Sequence, residues 1–113
     1  MTDRLPAAVE ASALIRRAQS DGGFATVIRK GDPDRGALLL VVRSRDRHVT
    51  CLERLLLLDG GYRWQPAGPL ESCDAAELAE FLQKRASFDE DLWIIELDIA
   101  QPERFIAETT EAG

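Results

Sequence analysis

The chain has one histidine, two cysteines and no long apolar run, and each scarcity narrows what 113 residues can do. Cys51 and Cys73 form no CxxC pair, and a single His cannot complete a four-ligand zinc site with them. None of Ser12, Ser20, Ser44, Ser72 and Ser87 sits in a GxSxG elbow, and with His48 as the one imidazole base no triad can be assembled. A Gly-rich phosphate cradle is also missing. Gly22-Gly23 comes before an expected strand rather than after one, and the stretch Gly31 to Gly36 carries Asp32 and Asp34, which would repel a phosphate. The longest apolar run, Ala37 to Val42, is far short of the roughly 20 residues that span a bilayer. Met1 to Pro6 lacks a basic stretch followed by an apolar core, so no signal peptide is expected. A cytoplasmic setting with free thiols follows as the expectation.

What is present suits one globular domain over residues 1–113, with an ordered core over about 5–107 and a frayed acidic tail. Hydrophobic content of 45% and charged content of 30% are ordinary for such a domain. The net charge of −6 is unevenly spread. Residues 29–54 carry seven cations against four carboxylates, net +3, whereas residues 71–113 carry three against twelve, net −9. An acidic whole argues against non-specific nucleic-acid binding, while the basic middle leaves room for a local anion contact.

The elements read in the order α-β-β-β-β-α-β. A first helix is expected from Pro6 to Ser20, with Ala11, Leu14, Ile15 and Ala18 on one stripe and Gly22-Gly23 ending it. Strands follow over Phe24–Lys30, Ala37–Arg43, His48–Leu57 and Tyr62–Gln65. The second of these is apolar almost throughout, as a strand covered on both faces would be. Turns fall at 31–36, at 44–47 and at Asp59-Gly60-Gly61, and Pro66 ends the fourth strand. The mixed pattern Leu52-Glu53-Arg54-Leu55 suggests a bulge. A second helix starts at Asp74, which with Glu77 can form a capping box, and it carries Ala75, Leu78, Ala79, Phe81 and Leu82 on its apolar side. A last strand covers Leu92 to Ile99, and Pro102 opens a final helical turn through Phe105 and Ile106. The fold class is α+β: a mostly antiparallel sheet built from a four-strand meander, with the helices gathered on one face. The last strand is expected beside the first, shielding its edge.

Three clusters carry candidate function. Arg43, Arg45, Arg47 and His48 form a basic hairpin suited to an anion, since Arg offers paired N–H groups to phosphate or carboxylate. A solvated turn is the competing reading. Leu55 to Leu58 cannot all enter one core from a strand, so either both strand faces are covered within the domain, or Leu56 and Leu58, with Trp64 and Trp93, form a candidate surface for a protein partner or for self-association as a homodimer. The carboxylates between Asp89 and Asp98 could hold a divalent metal, although capping and solvation explain them more simply. Within that group Glu96 shares a strand face with Leu92 and Ile94, and would need a partner if covered, with Arg29 as the candidate.

Two stretches carry a family resemblance: Gly22-Gly23-Phe24-Ala25-Thr26-Val27-Ile28-Arg29-Lys30-Gly31-Asp32 with Arg35-Gly36-Ala37-Leu38-Leu39, and Phe88-Asp89-Glu90-Asp91-Leu92-Trp93-Ile94-Ile95-Glu96. Together they resemble the alphaproteobacterial family numbered 1491 in the domain-of-unknown-function series, from the first helix to Phe105, with Glu90 where a Pro is expected. The resemblance implies a bacterial cytoplasmic origin, and it supplies no activity, cofactor or catalytic residue. The expectation is a non-catalytic interaction or regulatory module without a cofactor or metal. A small anionic-ligand-binding domain is the first alternative, and a metal-dependent enzyme using Asp89–Asp98 the second.

Overall fold

Pro6 precedes the first helix and has no N–H to leave unpaired, so helix α1 (Ala7–Ser20) begins without a side-chain cap. Its first free donors are met from elsewhere: Ala7 N–H bonds the Asp34 carbonyl at 3.2 Å and Ala8 N–H the Pro33 carbonyl at 2.8 Å. At the far end Gly22, at φ +83, turns the chain out, and Gly23 N–H returns to the Ala18 carbonyl. The computed structural model describes residues 5–56, 58–59, 62–69 and 73–111.

The strands are β1 (Phe24–Arg29), β2 (Leu38–Ser44), β3 (Arg47–Leu56), β4 (Tyr62–Ala67) and β5 (Trp93–Asp98). Helix α2 (Ala75–Phe88) precedes β5, and α3 (Pro102–Glu111) follows it. The α+β class and the mostly antiparallel sheet are as expected, but the order is β1-β5-β2-β3-β4. β5 does lie beside β1, antiparallel, and it also pairs in parallel with β2, so it separates the first two strands of the expected meander. β1 therefore remains an edge. Both faces of β5 are apolar: Leu92 and Ile94 join one buried cluster, while Trp93, Ile95 and Leu97 join the other. A strand of that kind is most stable inside a sheet. β2 has the same character, with Leu38 to Val42 wholly buried.

The helices do not gather on one face. α1 and α3 cover the side that holds Leu38, Leu40, Val42, Leu52, Ile95 and Leu97, whereas α2 covers Leu39, Val41, Cys51, Leu92 and Ile94 on the other. Two-sided apolar strands demand cover on both sides, and only α2 is left to supply the second. The bulge also lies elsewhere: the β2–β3 register slips between Val42 and Arg43, opposite Thr50 and His48, so Val49 is the extra residue. Glu53 and Arg54 instead alternate regularly. Glu53 accepts from Arg85 of α2 at 2.6 Å, and Arg54 pairs with Glu10 of α1, so two consecutive residues tie β3 to helices on opposite faces. Pro66 sits within β4, which as an edge strand can spare one ladder donor. α3 runs well past one turn, to Glu111, because Thr109 is buried and accepts from Arg17 at 3.1 Å.

Candidate functional site

The β2–β3 connection is a two-residue turn in which Arg45 and Asp46 both take positive φ, 53° and 65°. Such a turn follows the strand twist and strongly prefers Asn, Asp or Gly, so Arg45 is held there against its preference. Across the sheet face from this turn, α2 begins. Asp74 is its N-cap, and the carboxylate accepts from Glu77 N–H at 2.8 Å. Between turn and helix lies a cleft of about 430 Å³. Arg43, Asp46, Arg47 and His48 form one wall, and Cys73, Asp74, Ala75, Leu78, Ala79 and Leu82 form the other.

Three of the four residues expected to bind an anion thus meet in one cleft, while Arg45, exposed at the turn, is not among its lining residues. Arg43 is only loosely engaged, 3.5 Å from a Glu96 carboxylate oxygen, with both side chains about 30% exposed at 31% and 29%. His48 Nε2 donates to the Pro69 carbonyl at 3.0 Å, since that oxygen can only accept. Nδ1 is shielded from solvent and has no partner among the described residues. The first turn of α2 adds the positive end of a helix dipole. The apolar stripe Ala75, Leu78, Ala79 and Leu82 was readable from its spacing. That it faces the basic turn was not readable, because the face on which α2 packs is a tertiary choice.

Cys73 lies in this cleft beside the single His. Its thiol is pushed up by desolvation and by the carboxylates of Glu77 and Asp74, the opposite of activation. Cys51, in the core beneath α2, is pushed up to about 12, chiefly by burial. Both cysteines are free.

The remaining candidates divide. Trp93 is not a surface residue: it is 5% exposed, and its indole N–H donates to the Asp32 carbonyl at 2.8 Å. A Cβ at Gly31 or Gly36 would run into the Asp91 carbonyl and this indole, so those glycines provide room for the ring rather than a positive φ. Trp64 packs half-buried against the α1–α3 core. Leu58 is fully exposed. Leu56 ends β3 opposite Tyr62, and Leu57, like Gly60 and Gly61, lies outside the described residues. The expected apolar patch therefore loses Trp93 to the core. Glu96 is half-buried and faces Arg43, whereas Arg29 donates to the Glu90 carbonyl at 3.0 Å. Asp89 accepts from Asp91 N–H at 3.0 Å, and Asp98 ends β5 roughly 20 Å further along the chain at strand rise. Among the described residues no three His, Cys, Asp or Glu side chains come together as a metal site, so the Asp89–Asp98 carboxylates do not form one.

A second cleft, of about 270 Å³, lies between α1 and α3 and is lined by Arg17, Asp21, Arg104, Phe105 and Glu108 among others. Its charges answer one another. Arg17 and Arg104 reach Glu108 at 3.0 and 2.7 Å, and Arg17 lies over the Phe105 ring at 4.2 Å. This is a clip between helices.

Comparison with known proteins agrees with the fold. The sequence model of DUF1491, a family of proteins of unknown function, matches residues 5–107. The crystal structure of a DUF1491 family protein from Caulobacter crescentus CB15 is similar at 30% identity and TM-score 0.75, over 84% of this chain and 88% of that one. An NMR structure of a DUF1491 family protein from the same organism gives 30% and 0.77, over 93% and 94%. The solution structure of a protein from A. tumefaciens gives 30% and 0.70, over 85% and 86%. Curated proteins give no match.

Proposed function

The chain belongs to the DUF1491 family of proteins of unknown function, and from that premise we propose that it is a non-catalytic module binding a small anion with an apolar body. The observation that carries this reading is the meeting of Arg43, Arg47 and His48 with Leu78, Ala79 and Leu82 around one cleft. A carboxylate or phosphate would replace the loose Glu96 contact on Arg43 with a paired one. The apolar body would lie along α2. Asp46 and Asp74 on the rim disfavour a second negative charge, so a singly charged ligand fits better than a nucleotide or nucleic acid.

Binding rather than catalysis is favoured by Cys73, whose thiol is held protonated beside two carboxylates. The module would then act by interaction or regulation, as its ligand comes and goes. The cytoplasm is the setting we propose, consistent with two free cysteines. No described helix is long and apolar enough to cross a membrane.

A native mass spectrum of gently purified protein tests the reading. A singly anionic adduct is expected on the wild type and absent from Arg43→Ala/Arg47→Ala. A bare mass, together with no heat on titrating octanoate, would overturn it.

A further inference from the structure

The cleft beside α2 is lined by charges of both signs. Arg43, Asp46 and Arg47 follow one another through the β2–β3 hairpin, and Asp74 faces them from the start of α2. Among the described residues neither Asp46 nor Arg47 enters an ion pair. Asp74 uses Oδ1 to cap Glu77 N–H, which leaves Oδ2 to accept from a further donor. Arginine and aspartate are thus matched two against two around one small space. A ligand with a single negative group suits Arg43 and leaves both carboxylates facing it with the wrong sign. A simple cation has the opposite fault. A molecule with both signs on neighbouring atoms answers all of them.

We infer that the ligand is a free α-amino acid with a long apolar side chain. The inference rests on the reading above: it keeps the one negative group and the apolar body, and adds an ammonium beside the carboxylate. The carboxylate takes the paired N–H groups of Arg43. The ammonium has three donors and no acceptor, and the cleft supplies acceptors for it in Asp46 and the second oxygen of Asp74. The side chain lies along Ala75, Leu78, Ala79 and Leu82, a stripe about 10 Å long at helical rise. A long aliphatic or aromatic side chain covers that stripe and a short one does not. The chain end of a partner protein shares the carboxylate, but it puts a neutral amide where the ammonium would sit and leaves Asp46 and Asp74 unanswered.

Calorimetric titration of the full chain with 2-aminooctanoate, octanoate and N-acetyl-2-aminooctanoate tests it. The wild type is expected to bind 2-aminooctanoate about tenfold or more tighter than either of the others, the difference a charge-assisted hydrogen bond makes. Asp46→Asn and Asp74→Asn remove charge and spare the structure, because Asn suits a positive-φ turn and caps a helix as well as Asp does. The double variant should keep or improve its octanoate affinity and lose the preference. Octanoate bound as tightly as 2-aminooctanoate by the wild type would overturn the inference and leave the anion reading standing. So would a preference that survives the double substitution, or tightest binding of the N-acetyl compound. No heat from any of the three would overturn both the inference and the reading beneath it.

Discussion

Helices α1 and α2 each run 14 residues over one face of the same sheet, yet α1 buries Ala7, Ala11 and Ala18 completely and α2 buries none of its residues completely. The difference begins in the side chains. An alanine stripe lets the α1 backbone settle close to the strands, where the Glu10–Arg54 pair and α3 lock it in place. α2 meets the sheet through the larger Leu78, Phe81 and Leu82, which hold it off. Its polar tie, Arg85 to Glu53, is more exposed than its counterpart, with the arginine 33% accessible against 6% for Arg54. The space that remains at the α2 N-terminus is the cleft. One face holds the molecule together, and the other, less tightly covered, leaves the cleft at which we propose a ligand binds.

Truncation should separate the two faces most clearly. Leu40→Ala, in the α1–α3 core, is expected to cost about 3 kcal/mol, whereas Leu78→Ala on half-buried α2 should cost about 1 kcal/mol, both read from urea midpoints. Equal losses would break the comparison. The paired ties sharpen it. Arg54→Ala strands Glu10 against α1 and also removes a cation–π contact with Tyr62 at 4.4 Å, at about 3 kcal/mol. Arg85→Ala on the looser face should cost about 1 kcal/mol.

Much of this was legible in the sequence. The α1 span, the Asp74 cap, the two-sided burial of β2 and the turn at 44–47 follow from local spacing and turn chemistry. Local pattern does not say which strands pair, and so the insertion of β5 between β1 and β2 was hidden. Its consequence was hidden too, since α2 must cross to the uncovered face. Trp93 looked available because the glycines that make room for its ring, Gly31 and Gly36, read equally well as turn residues. Glu53 and Arg54 looked irregular because their partners lie on different helices. Arg43, Arg45, Arg47 and His48 group as a basic turn on sequence spacing alone, whereas the apolar wall that faces Arg43, Arg47 and His48 needed the tertiary structure.

Smaller effects follow. Asp74→Ala removes the cap at the mouth of the cleft and should cost about 1 kcal/mol, with the loss of helicity confined to α2. Acid should act on the other face. Hydrogen bonding by Arg104 holds the Glu108 carboxyl below its ordinary value, with charge from Arg104 and Arg17 and an Arg17 hydrogen bond assisting. A carboxylate depressed in the folded state contributes stability above its unfolded pKa of about 4.5 and loses that contribution as pH falls through the lower folded value. Asp32, depressed by the backbone N–H groups of Arg35 and Asp34, has the same sign around 3.8. Urea midpoints should therefore fall slightly from pH 5 to roughly pH 3, and less so in Glu108→Gln.

Amide hydrogen exchange of the intact chain tests the unequal cover directly. α2 amides should exchange through local openings at free energies well below those of β2, β5 and the buried turns of α1, which should report global unfolding. If α2 exchanged at the same free energy as β2 and β5, the two faces would be equally held, and the cleft would lose its physical basis.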